Sequence, residues 1–306
     1  MEYELIIIGG GPAGTSAAVY AARKQLKTLL IAEEFGGQSV VSETIYNWIG
    51  TPEVGGSELA ESFKKHAEYY EGEYLKLETG ALVTGIEKSG EGFTVKTNRD
   101  DEFTTKTVLI SSGSGRRKLT VPGADTFEHK GVVYCASCDG PLFSGQDVAV
   151  IGGGNAGFES VAQLAQYCKS VTLLHRSDDY RAEKITVDKV MARDNVKGIL
   201  NASTTEILGD KFVSGLKYND KDGNEQLLDV TGIFVEIGQI PNTGFAEDVV
   251  EFDKLKRIKI DPWTQRSSTD GIWAAGDCSN VKYHQNNIAA GDAVRALEDI
   301  YNYLHA

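Results

Sequence analysis

Leu5-Ile6-Ile7-Ile8-Gly9-Gly10-Gly11-Pro12-Ala13-Gly14 is the stretch on which the reading of this chain turns. A short apolar run passes directly into glycines at the spacing G-x-G-x-x-G (Gly9, Gly11, Gly14), and then into the alanine-rich segment Ala13 to Lys24. The apolar run predicts a buried parallel strand, and the alanine-rich segment predicts a helix. In that setting the first glycine permits a tight turn, the second lets a pyrophosphate approach the backbone, and the third lets helix pack on strand. The helix start supplies free N–H groups and partial positive charge for phosphate. Thr28 to Ala32 reads as the next strand. Glu33 follows it, about 20 residues beyond the glycines, where an acid accepts hydrogen bonds from ribose hydroxyls; Glu34 is the adjacent alternative.

The pattern occurs twice. Asp147 to Ile151 leads into Gly152-Gly153-Gly154-Asn155-Ala156-Gly157, a helix predicted over Asn155 to Gln166, and a strand over Val171 to Leu174. This second copy ends in His175-Arg176-Ser177, with Arg181 shortly after, instead of an acid. Guanidinium groups there suit a 2′-phosphate and favour NADPH, while Asp178 and Asp179 argue for NADH. Just before the second copy stands Cys135-Ala136-Ser137-Cys138, followed by Asp139-Gly140-Pro141. Two thiols at this spacing close into a small disulfide ring and reopen, or form half of a zinc site. Zinc needs about four ligands. Only Cys168, Cys278 and five scattered histidines remain, so a redox pair and no metal are expected. Cys168, among apolar helix residues, and Cys278, after the Gly276-Asp277 loop, read as packing.

Composition sets the frame. The chain has 306 residues, 41% hydrophobic and 25% charged, as in soluble globular proteins of about two domains. A formal net charge of −13 disfavours nucleic acid and anionic lipid as partners. Four cysteines are too few for a secreted disulfide scaffold. With the first strand beginning almost at once and no apolar run near the ~18 residues of a membrane span, no signal peptide, no membrane and a cytoplasmic location are expected.

Between these landmarks the pattern is coarser. Gly36-Gly37-Gln38 and Asn47-Trp48-Ile49-Gly50 read as loops, and Ser57 to Tyr70 as a helix with Ser57 as N-cap. Short strands are predicted over Ala81 to Ile86, Gly92 to Thr97 and Thr104 to Ile110, forming a small antiparallel layer. A second antiparallel pair is predicted over Asn201 to Ile207 and Phe212 to Tyr218, and a buried strand over Asp229 to Glu236. Ser111 to Pro122 and Gly238 to Thr243 read as linkers; Arg116-Arg117-Lys118 in the first is a solvated charge run or a nucleotide contact. Ile272 to Ala275 and Asn287 to Leu304 read as a strand and a closing helix. The predicted fold is α/β, with two Rossmann-like three-layer nucleotide-binding domains, each carrying a small antiparallel layer. Residues 1–113 and 242–306 are expected to form a discontinuous domain on the first dinucleotide site, and 114–241 a NAD(P)H domain bearing the dithiol; the family resemblance given next implies FAD for the first.

Gly9 to Gly14, Gly36-Gly37-Gln38, Cys135-x-x-Cys138-Asp139, Gly152 to Asn155, Gly238-x-x-Pro241-Asn242-Thr243 and Ala274-Ala275-Gly276-Asp277 stand in the order seen in low-molecular-weight thioredoxin reductases. The chain resembles that family over essentially its whole length. The run from Cys135 to Phe143 and Gly232-Ile233-Phe234-Val235 also resemble the flavoprotein core of alkyl hydroperoxide reductase, whose thioredoxin-like N-terminal extension has no counterpart in these residues. The resemblance implies FAD on Gly9, Gly11, Pro12, Ala13 and Gly14, with Glu33, Gly37, Gln38, Asn47 and Gly113 as further contacts. It puts Gly276 and Asp277 at the flavin side chain, and Gln285 and Asn286 at a helix start facing the ring. It implies NADPH on Gly152, Gly154, Asn155 and Ala156, with His175, Arg176 and Arg181 at the 2′-phosphate and Gly238 beyond.

There are departures. Ser177 stands where the family usually has arginine, Asn155-Ala156-Gly157 replaces Asn-Ser-Ala, and Ser111-Ser112-Gly113 replaces Ala-Thr-Gly. The implied reaction is thioredoxin-disulfide reduction. Electrons pass from NADPH through FAD to Cys138, on the flavin side, and then to Cys135, which attacks the substrate disulfide, with Asp139 exchanging protons. NADH or reduced ferredoxin as donor, a peroxiredoxin-type partner, and a non-enzymatic flavin sensor are the alternatives. The family leads to a homodimer. It also leads to domain movement, with hinges near Gly113 to Arg117 and Gly238 to Thr243, because dithiol and dinucleotide sites share one domain.

Overall fold

The computed structural model describes residues 2–42 and 44–306. The chain forms two compact units, Met1–Gly115 with Ile240–Ala306, and Arg116–Gln239.

The first unit opens with β1 (Tyr3–Gly10), α1 (Pro12–Arg23) and β2 (Thr28–Phe35), followed by α2 (Gly56–Tyr69) and β3 (Leu75–Thr79). Then come β4 (Val83–Ser89), β5 (Gly92–Thr97) and β6 (Glu102–Ile110). The chain passes to the second unit at β7 (Ser114–Arg116). That unit holds β8 (Val132–Val133), α3 (Ala136–Asp139), β9 (Asp147–Ile151), α4 (Asn155–Leu164) and β10 (Ser170–Leu174). It continues with α5 (Lys184–Met191), β11 (Val196–Ile199), β12 (Ser203–Gly209), β13 (Val213–Asn219), β14 (Glu225–Leu228) and β15 (Gly232–Val235). The return is at β16 (Gln239–Pro241), and the first unit closes with β17 (Ile272–Ala274) and α6 (Asn286–His305).

In the first unit β3, β2, β1, β6 and β17 are parallel, while β4 and β5 continue antiparallel from the start of β6. β6 is the corner. Its Phe103 to Thr105 pair with β5, and its Val108 to Ile110 pair with β17 on the same side. The predicted antiparallel layer is therefore continuous with the parallel sheet. Alternation along β1 builds two cores. Leu5 and Ile7 pack with Ala17, Ala21, Leu297 and Ile300 of the helices; Ile6 and Ile8 pack with Ile86, Phe93 and Val95 of the antiparallel strands. Fully burying each such side chain contributes about 1.5–3 kcal/mol.

The second unit repeats the plan. Its parallel sheet runs β11-β10-β9-β15-β8, with β12, β13 and β14 as a separate antiparallel sheet. Val148 and Val150 face Phe158, Val161 and Leu164 of α4; Ala149 and Ile151 face Ile207, Val213 and Leu216.

Two local expectations change. The helix predicted from Ser57 starts at Gly56 with Gly55 as N-cap, so Ser57 lies inside it. Gly56 donates to the Ser42 carbonyl at 3.1 Å, and a side chain there would overlap the Ser39 carbonyl. That close approach moves the start back. α5 was not predicted: its one buried residue, Val190, gives no apolar stripe to read. Among the described residues no helix is long and apolar enough to cross a membrane.

A methyl group on Gly14 would overlap the Gly9 carbonyl oxygen, because α1 crosses the end of β1 at backbone contact. Gly291 of α6 is exposed with open space around it. Gly14→Ala is expected to destabilise the first unit by about 1–3 kcal/mol. Gly291→Ala is expected to stabilise it by about 0.5–1 kcal/mol. Thermal unfolding of the two variants beside the parent checks both signs.

Candidate functional site

The two glycine loops sort their glycines into two kinds. Gly9 and Gly152 have φ of +112° and +126°, and Gly14 and Gly157 would each drive a methyl into the carbonyl of the loop's first glycine. The fold itself demands these four. Gly11 and Gly154 are different. Their φ values of −77° and −93° suit any residue. The nearest atom to a methyl on Gly11 would be Gly37 Cα at 3.8 Å, and nothing lies within 4 Å of one on Gly154. Nothing in the protein requires glycine there, and the space it leaves lies at the N-cap of a helix. α1 and α4 have no side-chain cap and no acid in the first turn, so their first N–H groups stay available for an anion. These features fit a dinucleotide pyrophosphate on each loop.

Around the first loop the fold gathers most of the residues named from sequence. Glu33 and Glu34 both reach a cavity of about 350 Å³ also lined by Phe35, Lys64 and Thr79; the structure does not choose between the acids. Gly276 lies between α1 and α6: a methyl on it would sit 3.2 Å from Ala289 Cβ and 3.6 Å from Ala13 Cβ. Asp277 Oδ1 is 3.2 Å from His284 Nδ1. Asn47 Nδ2 donates to Gln285 Oε1 at 3.1 Å at the start of α6, a third long helix with no side-chain cap and no acid in its first turn. Gly37 opens a short 3₁₀ turn in which Gln38 is exposed, and Gly113 has φ +65° with open space around it.

Two residues here were missed. Asn287 donates from Nδ2 to the Asn47 carbonyl at 2.7 Å and accepts from the Ile49 N–H at 3.4 Å, tying that loop to α6. Ser111, buried, donates its hydroxyl to the Ile8 carbonyl at 2.8 Å and supports the glycine loop from beneath. The only sequence signal was that each departs from the expected motif or neighbours one.

At the second loop, Gly153 N–H donates to His175 Nδ1 at 3.0 Å, Arg181 N–H to the Gly153 carbonyl at 2.8 Å, and Glu183 N–H to Asn155 Oδ1 at 3.0 Å. His175 is buried, while Arg176 and Arg181 are exposed. Gly238 has φ +115° and accepts from the Arg117 N–H at 3.0 Å. The Arg116-Arg117-Lys118 run divides. Lys118 pairs with Glu128 at 2.8 Å, Arg117 is tied through its backbone, and Arg116 lies near two half-buried carboxyls, Asp139 and Glu236. Burial pushes both carboxyls up, and the Arg116 charge partly offsets it. Glu236, which also accepts from the Ser160 hydroxyl at 2.7 Å, was not anticipated.

Cys135 and Cys138 form a disulfide with Cα atoms 5.3 Å apart. Cys135 is the N-cap of α3, and its sulfur accepts the Cys138 N–H at 3.2 Å. The turn is seated on α4. Gln163 Oε1 accepts from the Ser137 hydroxyl at 3.0 Å, and its Nε2 donates to the Ala136 carbonyl at 3.3 Å. Phe143 then packs edge-on against Phe234, 5.2 Å between centroids. Gln163 had no motif to reveal it. Cys168 and Cys278 are buried, and burial pushes each thiol up to about 11. Among the described residues no three His, Cys, Asp or Glu side chains converge as a metal site.

Comparison with known proteins agrees with this geometry. The chain is 39% identical to the F subunit of alkyl hydroperoxide reductase of Staphylococcus aureus over 99% of its own length and 59% of that protein's. With its Escherichia coli counterpart it shares 38% over 99% and 58%. It thus spans about three fifths of the length of these curated relatives. Among solved structures, thioredoxin reductase from Streptococcus pyogenes superposes with TM-score 0.90 at 36% identity, covering 99% of this chain and 98% of that one. Thioredoxin reductase from Giardia duodenalis gives 0.94 at 30%, covering 99% of each. The resemblance read from sequence is borne out in both directions. The profile of the pyridine nucleotide-disulphide oxidoreductases matches residues 3–293, and a match of that extent makes this chain a member of that family.

Proposed function

We propose that this chain is an FAD-dependent disulfide reductase that draws electrons from a nicotinamide dinucleotide and delivers them through Cys135 and Cys138 to a protein disulfide. The observation that carries the reading is the closed Cys135–Cys138 ring on the same compact unit as the second glycine loop. The open positions at Gly11 and Gly154, beside uncapped helix starts, support a dinucleotide on each loop. Bound FAD and NAD(P)H would supply the hydride chemistry that no side chain here offers.

The protein's own part begins with the sulfur pair. Two electrons open the Cys135–Cys138 bond to the dithiol. The Cys135 thiolate attacks one sulfur of the partner's disulfide, breaking that bond and forming a mixed disulfide; the partner's other sulfur leaves as a thiolate and takes a proton. The Cys138 thiolate then attacks Cys135 Sγ, restoring the ring and releasing the second partner thiol. The Cys138 N–H directed at Cys135 Sγ stabilises a thiolate there and supports Cys135 as the attacking sulfur. Asp139, one residue beyond Cys138 and held protonated to higher pH than an ordinary carboxyl by burial, is the proton carrier for the departing thiolate. The backbone pairs Asn242 N–H to Gly113 carbonyl and Arg117 N–H to Gly238 carbonyl bracket residues 114–116 and 239–241, which we assign as hinges.

The partner is thioredoxin or a thioredoxin-like protein on the likeness to the two solved reductases. The 39% identity to the alkyl hydroperoxide reductase flavoprotein of Staphylococcus aureus favours a peroxiredoxin-type partner as the second reading. Arg176 and Arg181 support NADPH, and Ser177 keeps NADH as the alternative donor. A cytoplasmic homodimer is part of the proposal. Light scattering of the purified protein checks the dimer. The direct test is anaerobic: mix the FAD-loaded protein with NADPH or NADH, follow loss of flavin absorbance, then add thioredoxin or a peroxiredoxin. Bleaching by NADPH and turnover with thioredoxin are expected; no bleaching by either dinucleotide overturns the reading.

Four variants sharpen it. Cys135→Ser and Cys138→Ser are each expected to stay yellow and to lose disulfide reduction by at least about 10³-fold, since neither half of the exchange has a substitute. Gly11→Ser is expected to fold with an unchanged or slightly raised Tm, because serine caps α1, yet to emerge without FAD; retention of FAD argues against the first loop as the seat. For Asp139 the raised carboxyl sets the sign. The protonated form donates, so the rate of disulfide reduction falls as pH rises through its value. Asp139→Asn is expected to lose that limb of the pH–rate profile and about 10²-fold in rate.

A further inference from the structure

We propose that His175 is a positioning residue: its neutral imidazole holds the Gly153 amide, keeps the second glycine loop in its dinucleotide-binding shape, and releases it when the ring is protonated. This rests on the proposal that residues 152–157 carry a dinucleotide.

Geometry carries it. The Gly153 N–H donates to Nδ1 at 3.0 Å, so Nδ1 is an acceptor and the single ring proton sits on Nε2. The residue is only 6% exposed, so bulk solvent has little access to replace that bond. Nε2 is buried and has no hydrogen-bond partner among the described residues. A second proton would enter at Nδ1 and face the Gly153 N–H, donor against donor. The contact is also tight from the loop side: a methyl on Gly153 would lie 2.6 Å from His175 Cγ and 2.7 Å from Tyr180 Cδ1. The Tyr180 ring lies tilted beside the imidazole, 5.8 Å between centroids.

The same segment clasps the loop at two further points, Arg181 N–H to the Gly153 carbonyl and Glu183 N–H to Asn155 Oδ1. Arg176 and Arg181, proposed to meet the dinucleotide, therefore ride on a clasp that His175 closes. The charged groups acting on the ring are Arg181, Arg176 and Asp179; Gly153 and Asp179 face it with backbone atoms and Tyr180 with its ring. Burial and then the Arg181 charge hold the imidazole below its ordinary value of 6.5, with Asp179 acting the other way. The lock is thus complete at and above neutral pH and opens as pH falls below the ordinary imidazole range.

Calorimetric titration of the intact, oxidised protein with NADP⁺ and with NAD⁺, which lacks a titrating 2′-phosphate, tests this between pH 5 and 8. In the parent, affinity is expected to fall about tenfold towards pH 5, the worth of one lost buried hydrogen bond. His175→Asn, whose Oδ1 accepts at every pH, is expected to bind within about threefold of the parent at pH 8 and to lose the acid limb. His175→Phe is expected to bind about tenfold more weakly at pH 8 with no such limb. Parallel pH profiles for the parent and His175→Asn overturn the proposal. The Gly153 amide resonance of protein without dinucleotide gives a second readout: it is expected to shift with pH in the parent and to stay fixed in His175→Asn. A Gly153 resonance indifferent to pH also overturns the lock. A titrating resonance in a protein that binds neither dinucleotide upholds the lock and removes the dinucleotide from the loop instead.

Discussion

Three long helices, α1, α4 and α6, begin without a side-chain cap and without an acid in the first turn. The rest of the molecule is built around that constraint. An absent cap costs about 1 kcal/mol at each start. The cost is tolerated because each helix is anchored elsewhere: α1 and α6 share a core with Trp273 and Leu30, and α4 lays Phe158, Val161 and Leu164 on its sheet. Uncapped amides then remain at the C-terminal ends of β1 and β9, where the proposed dinucleotide phosphates would replace the missing cap.

The two units reach this state by the same backbone device and diverge just beyond it. Near the end of β2 the chain presents Glu33 and Glu34; after β10 it presents a buried histidine and two exposed arginines. A carboxylate suits hydroxyl groups and a guanidinium suits phosphate, so one plan serves two different dinucleotides in the proposed reaction. The dithiol belongs to the second unit through local seating. Gln163 grips the turn from α4, Gly140 leaves room for Tyr167, and Phe143 reaches Phe234 over Gly232. Cys168 and Cys278, by contrast, are buried thiols held at about 11, poor nucleophiles near neutral pH.

What sequence made legible follows the range of the forces involved. Strand, loop and helix at both glycine motifs were readable because steric demands at Gly9, Gly14, Gly152 and Gly157 are local and admit no other residue. The Cys135–Cys138 ring was readable because three residues of separation bring the sulfurs together. Contacts joining distant segments were not. Asn287 meets Asn47 across 240 positions, and Ser111 meets Ile8 across 103. Ser57 misled because a serine before a glutamate looks like a cap, whereas the packing of Gly56 against Ser39 and Ser42 set the helix start. His175 lay between the two cases: its place after β10 was visible, but its bond to Gly153 exists only once β10 and the loop stand side by side.

The central claim is that reducing equivalents from a nicotinamide dinucleotide reach Cys135 and Cys138 and no other sulfur. Differential alkylation with mass spectrometry tests it most directly, on FAD-loaded protein labelled before and after anaerobic addition of NADPH, and in parallel NADH. The account predicts that Cys135 and Cys138 become alkylated only after the dinucleotide is added, Cys135 faster, while Cys168 and Cys278 stay unlabelled in the folded protein. A Cys135–Cys138 pair that stays closed against both dinucleotides, with the flavin bound and dithiothreitol able to open it, would contradict the account.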